Sequence, residues 1–111
     1  MSDEYRRVVG DTESSIEDQL TGDGTVISIE DFNAVEIHIE KPDGTVLTDD
    51  TTGAVTVENS TEGKVRYDFQ SGDLDQTGRY RYEWEVTFGD GGVLTFPGDS
   101  MAKIFVRDEL A

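Results

Sequence analysis

Arg79-Tyr80-Arg81-Tyr82-Glu83-Trp84-Glu85-Val86-Thr87-Phe88 is the stretch that decides the fold. Tyr80, Tyr82, Trp84, Val86 and Phe88 occupy one phase of a two-residue repeat, and Arg79, Arg81, Glu83, Glu85 and Thr87 occupy the other. Successive side chains of an extended chain point to opposite faces, so the repeat makes one apolar face and one polar face. A helix would scatter the same aromatics around its circumference. The stretch therefore reads as a long strand with one face buried.

The same period runs outward in both directions. Residues 33–40 set Val35, Ile37 and Ile39 against Glu36, His38 and Glu40. Residues 54–59 repeat it with Val55 and Val57, and residues 63–69 bury Val65, Tyr67 and Phe69. Residues 102–107 turn Ala102, Ile104 and Val106 inward and Lys103, Phe105 and Arg107 outward. Residues 5–9, 15–20 and 26–29 are weaker strand candidates. Gly22-Asp23-Gly24, Pro42-Asp43-Gly44 and Gly89-Asp90-Gly91-Gly92 supply turn residues between the runs. Residues 70–78 form a polar connection, with a short helical turn expected around Asp73-Leu74-Asp75. Pro97 cannot donate to a ladder and ends the strand after Phe96 or marks an edge. No segment carries the apolar stripe of a long helix.

These runs predict an all-β protein, an immunoglobulin-like antiparallel β-sandwich of about seven or eight strands. A length of 111 residues suits one domain. Residues 1–9 are expected to form an N-terminal arm or edge strand, and residues 10–111 the sandwich.

Charge narrows the function classes. Asp and Glu number 25 against 9 Lys and Arg, a formal net charge of −16, and the carboxylates run along the whole chain. Nucleic-acid binding needs a basic footprint that this chain lacks, and an anionic membrane surface would repel it. Dispersed carboxylates with only three lysines, Lys41, Lys64 and Lys103, fit adaptation to high salt. Salt screens the self-repulsion, with a Debye length of about 3 Å at 1 M.

Catalytic chemistry finds little purchase. There is no cysteine, which removes disulfides, zinc–thiolate sites and thiol nucleophiles. No apolar h-region follows the N-terminus and no apolar run reaches spanning length. His38, the single histidine, reads as an outward-facing strand residue between two glutamates. One histidine without a second or a cysteine makes a poor zinc site. Asp49-Asp50 sits in an acidic loop without calcium-loop spacing, and turn chemistry accounts for it. No nucleophile–base pair stands out, so the chain is read as a non-enzyme without cofactor or metal.

Arginine and aromatic residues outside the apolar phase are the remaining candidates, because both are enriched in protein interfaces. They are Arg79 and Arg81 on the long strand, Phe105 and Arg107 on the last, and Tyr5, Arg6 and Arg7 in the arm, which could add as a strand to a neighbour.

A family resemblance rests on a particular order of residues. Lys41-Pro42-Asp43-Gly44-Thr45 precedes Gly63-Lys64-Val65-Arg66-Tyr67 and a loop with Gly72-Asp73. Thr77-Gly78-Arg79-Tyr80-Arg81-Tyr82-Glu83-Trp84 follows, then Asp90-Gly91 and Leu94-Thr95-Phe96-Pro97. This resembles the immunoglobulin-like structural proteins of tailed viruses, in particular the N-terminal domain of phage baseplate upper proteins, over about residues 10–107. Tyr80 takes the place of a tyrosine corner, and Gly78 permits the tight turn into the strand. The resemblance implies a virion protein of a halophilic host's virus, synthesised in the host cytoplasm. It would be an adaptor or decoration module on tail, baseplate or capsid. Its partners would be other virion structural proteins, with a homo-oligomer inside a symmetric assembly. A host-surface or carbohydrate-binding module is the alternative.

High-salt adaptation carries a direct test. The thermal midpoint should rise as potassium chloride goes from dilute buffer to about 1 M, as screening relieves self-repulsion. A midpoint indifferent to salt over that range counts against it.

Overall fold

The aromatic repeat becomes the longest strand in the computed structural model, which describes residues 4–8, 15–22, 24–96 and 102–107. Within 4–8 and 102–107, only the Ile104 and Val106 side chains belong to that description. Eleven strands follow in order: β1 (Glu4–Val8), β2 (Ser15–Gln19), β3 (Thr21–Gly22), β4 (Thr25–Val26), β5 (Phe32–Glu40), β6 (Val46–Asp50), β7 (Val55–Asn59), β8 (Lys64–Asp68), β9 (Gly78–Phe88), β10 (Val93–Phe96) and β11 (Ala102–Arg107). No helix occurs among the described residues.

The larger sheet runs β1-β11-β9-β5-β6, with β10 also on β9; the smaller runs β2-β8-β7, and β3 and β4 form a two-stranded ribbon. The two main sheets enclose the core as a β-sandwich. From β9 come Tyr80, Tyr82, Trp84 and Val86, and from β5 come Val35, Ile37 and Ile39, all at most 1% exposed. The smaller sheet answers with Ile16, Val55, Val65 and Tyr67. Full burial of such side chains contributes about 1.5–3 kcal/mol each.

The structure departs from the sequence reading in places that share a cause. β1 pairs with β11 in parallel, where antiparallel pairing is expected. β6 has Val46 and Leu47 followed by polar residues, so its edge strand shows too little alternation to be seen. Only Val26 of the 26–29 candidate lies in a strand, β4. Ile27 and Ile29 instead donate to Leu20 O at 2.9 Å and Ser60 O at 2.8 Å. Asp73-Leu74-Asp75 forms a turn, not a helix: Asp73 N–H bonds Gln70 O at 3.1 Å. The Asp73 carboxylate takes hydrogen bonds from Tyr67 OH and Gln70 N–H, which anchors the turn and lets Leu74 enter the core.

Loop closures hold the sandwich ends. Tyr80 OH donates to Gln76 O at 2.8 Å and accepts from Gln76 N–H at 2.9 Å, the tyrosine corner expected from the sequence. Lys41 Nζ, beneath the same loop, donates to Gly72 O and pairs with Asp75, both at 3.0 Å. Gly78 has φ 127°, and a Cβ there would meet Pro42 Cγ at 3.1 Å. At Gly63, φ 63°, a Cβ would stand 2.4 Å from Ile27 O, so the Leu20–Gly63 contact needs glycine.

One polar group crosses the core. Asp18 lies on the inward phase of β2 and is 6% exposed. Its Oδ2 accepts Trp84 Nε1–H at 2.8 Å and Tyr82 OH at 3.0 Å, tying the small sheet to β9. Its Oδ1 has no hydrogen-bond partner.

Burial raises the Asp18 pKa above its ordinary 3.8, and the Trp84 and Tyr82 hydrogen bonds only partly oppose this. The folded chain therefore keeps this proton to higher pH than the unfolded chain. Asp18 thus lowers stability as pH climbs from about 3.8 through its raised folded value. Asp18→Asn keeps an acceptor without the charge; it is expected to melt no lower than the parent at neutral pH and to lose this pH dependence. Asp18→Ala strands two buried donors and is expected to cost about 1–3 kcal/mol. Thermal melts of both variants between about pH 3 and about pH 7 check the pair.

Candidate docking surface

β9 gives one backbone edge to β5 and divides the other. Residues 78–82 pair with β11 and residues 84–87 with β10. β10 is thus a short outer strand that pairs only with β9 among the described residues. Gly89 to Gly92 make the hairpin, with Phe88 N–H bonded to Gly92 O at 2.8 Å and Gly91 N–H to Phe88 O at 2.9 Å.

Register sets the two faces of β10. Phe96 stands opposite Trp84 and enters the core; Leu94 stands opposite Val86 on the same phase. Leu94 is nevertheless 46% exposed, and Val93, on the other phase, 53%. The half-buried Phe32 and Phe88 continue this apolar area at the end of the sandwich, with Asp31 and Asp90 on its rim. The result is an open groove with an apolar floor and acidic margin. Its composition suits contact with another chain: apolar centre, polar rim, and a strand edge for main-chain pairing. Val46 on the outer strand β6, 56% exposed, and Val26 on β4, 43% exposed, are further exposed apolar side chains.

The interface residues expected from sequence fall elsewhere. Backbone pairing puts Arg6, Phe105 and Arg79 in one row across β1, β11 and β9, and Tyr5 and Arg7 in rows with Ile104 and Val106. Arg107 pairs with Val8. The side chains of Tyr5, Arg6, Arg7, Phe105 and Arg107 lie outside the described residues. Arg79 and Arg81 are exposed on the outer face. Arg81 is engaged by Glu40 Oε1, with Nε at 2.8 Å and Nη2 also in contact. Val93 and Leu94 were not among the expected residues. Their signal is two adjacent apolar residues after Gly91-Gly92, which occupy both phases of a strand too short to be covered on both faces.

His38 does lie outward, half-buried, beside Glu36 on β5 and Glu83 across on β9. The Asp49 and Asp50 carboxylates serve their own turn. Asp49 accepts Asp50 N–H at 2.8 Å and Ala54 N–H at 3.2 Å, and Asp50 accepts Thr52 N–H at 2.9 Å. The Thr52 hydrogen bonds hold the Asp50 pKa below the usual carboxylate range.

No protein-family model and no curated protein matches the chain. Among solved structures, the crystal structure of CopC from Methylosinus trichosporium OB3b superposes with a TM-score of 0.58 at 12% identity. The match covers 96% of this chain and 87% of that one. At such identity the likeness shows the fold alone, and it agrees with the β-sandwich.

A Val93→Ser, Leu94→Ser double variant tests whether the groove is surplus to the core. Both side chains are largely solvated, so each change should alter stability by no more than about 0.5 kcal/mol. Chemical denaturation checks this; a substantially larger loss would make the groove part of the core.

Proposed function

We propose that this chain is a structural docking module: a virion protein of a tailed virus infecting a halophilic host, serving as adaptor or decoration unit on tail, baseplate or capsid. The observation that carries the docking part is the exposed apolar strand β10, whose Val93 and Leu94 line one open groove with Phe32 and Phe88, on a surface otherwise dominated by carboxylates. The viral part rests on the resemblance over residues 10–107, and the halophilic part on the net charge of −16. Repeated copies in a symmetric particle make weak individual contacts sufficient, because each bound neighbour raises the effective concentration of the next contact. Other virion structural proteins and further copies of the chain are the proposed partners.

The sugar-binding alternative needs exposed aromatics on a flat face. The β9 aromatics Tyr80, Tyr82 and Trp84 are fully buried, and the outer face of that strand carries Arg79, Arg81, Glu83, Glu85 and Thr87. That arrangement favours docking over stacking on sugars.

Mass spectrometry of purified particles, with imaging of labelled virions, tests the assignment. The chain is expected in the particles at a copy number fitting their symmetry, and Val93→Asp with Leu94→Asp is expected to deplete it from them. Particles that lack the chain would overturn the viral role. Undiminished incorporation of the double variant would overturn the groove as docking surface.

A further inference from the structure

The sheet assembles a group of side chains that no single strand reveals. On the outer face, Glu36 of β5 stands directly opposite Glu85 of β9, and His38 opposite Glu83. Asp50 of β6 extends the first row, giving Asp50, Glu36 and Glu85 across three adjacent strands. Like charges directly opposite one another on a sheet destabilise it. Among the described residues no lysine or arginine pairs with Glu36, Glu83 or Glu85; the nearest guanidinium row, at Arg81, is held by Glu40.

Two features separate this group from a merely acidic surface. First, it contains the chain's only imidazole, and both ring nitrogens face carboxylates. Nε2 is 3.5 Å from Glu36 Oε2 and Nδ1 is 3.7 Å from Glu83 Oε1. Second, it is half-buried: the His38, Glu36 and Glu83 side chains are 25%, 32% and 30% exposed. Electrostatic attraction to a cation is therefore less screened than at an open surface.

We propose that Glu36, His38 and Glu85 bind a divalent transition-metal cation of the zinc type, with Glu83 as the positioning residue. Ligand atoms of the three residues lie within 4.8 Å of one another. A tetrahedral shell with metal–ligand distances of about 2.0–2.1 Å has edges of about 3.3 Å, so side-chain adjustments of about an ångström close it, with water as fourth ligand. His38 Nε2 is the nitrogen that faces Glu36. The opposite nitrogen, Nδ1, lies 3.7 Å from Glu83 Oε1; a shift of about half an ångström brings its N–H into hydrogen-bond reach, which gives the carboxylate–histidine–metal arrangement that sets tautomer and ring orientation. One nitrogen and two carboxylate oxygens suit zinc, and the imidazole excludes magnesium and calcium as preferred ions. The lone histidine of the sequence is thus completed by a strand 45 residues further on, through the pairing of Glu36 with Glu85 and Glu83 with His38 (position 38 against position 83).

Zinc chloride titrated calorimetrically into the full chain, in molar potassium chloride that suppresses diffuse counter-ion binding, tests the site. One saturable site per chain is expected, not displaced by equal magnesium. His38→Ala and Glu85→Gln should each weaken it at least about tenfold, and Glu83→Gln by about tenfold through lost positioning. Because the chain has one histidine, its ring ¹⁵N signals report ligation in the parent protein without any variant. A large Nε2 shift on zinc addition is expected. Unchanged ring signals at zinc saturation, unchanged affinity in folded His38→Ala, or equal competition by magnesium would each overturn the proposal.

Discussion

Everything else in the molecule leans on β9 being held from three directions. Its inward phase is filled by Tyr80, Tyr82, Trp84 and Val86, its backbone edges are taken by β5 on one side and by β11 and β10 on the other, and Trp84 and Tyr82 also clasp Asp18 from the opposite sheet. A one-residue slip would drive Arg81, Glu83 and Glu85 into the core, so register is enforced by the cost of burying charge. The Asp18 clasp adds direction to that constraint. Apolar contact alone tolerates sliding, whereas a carboxylate shared by an indole and a phenol has one satisfactory position.

From that register the surface follows. Once alternate residues of β5 and β9 face the core, their partners are committed to the outer face, and the pairing decides which charges meet. Glu40 meets Arg81, a favourable opposition, and Glu36 meets Glu85, an unfavourable one. The acidic composition is tolerable because, Asp18 and Asp73 aside, the carboxylates of the described residues lie outside, where water and salt screen them. It also makes the few uncovered apolar side chains conspicuous. Val93 and Leu94 are exposed because β10 sits at the sandwich end, where nothing in the described structure covers it.

Strands of strong alternation were legible in the sequence. Residues 33–40, 63–69 and 79–88 matched their strands to within a residue or so, since a half-buried strand writes its burial as a period of two. The Tyr80 corner was legible because Gly78 and Tyr80 stand at the head of such a strand. Short β3 and β4 were not, being too brief for a period to show, and neither was β6, where adjacent Val46 and Leu47 are followed by polar residues. Nor was the parallel pairing of β1 with β11, which joins opposite ends of the chain. Asp18 looked like one acid among 25, and its buried bridge is invisible without the partner strand.

By itself, then, the sequence determined the all-β class, the inward residues of the long strands and the acidic exterior, because each is a local property of alternation or composition. Tertiary structure alone decided which side chains meet across strands: Asp18 with Trp84, Glu36 and His38 with Glu85 and Glu83, Leu94 beside Phe88. Pairing partners lie tens of residues apart, and their register is set by the collective packing of the whole core, which no local stretch encodes.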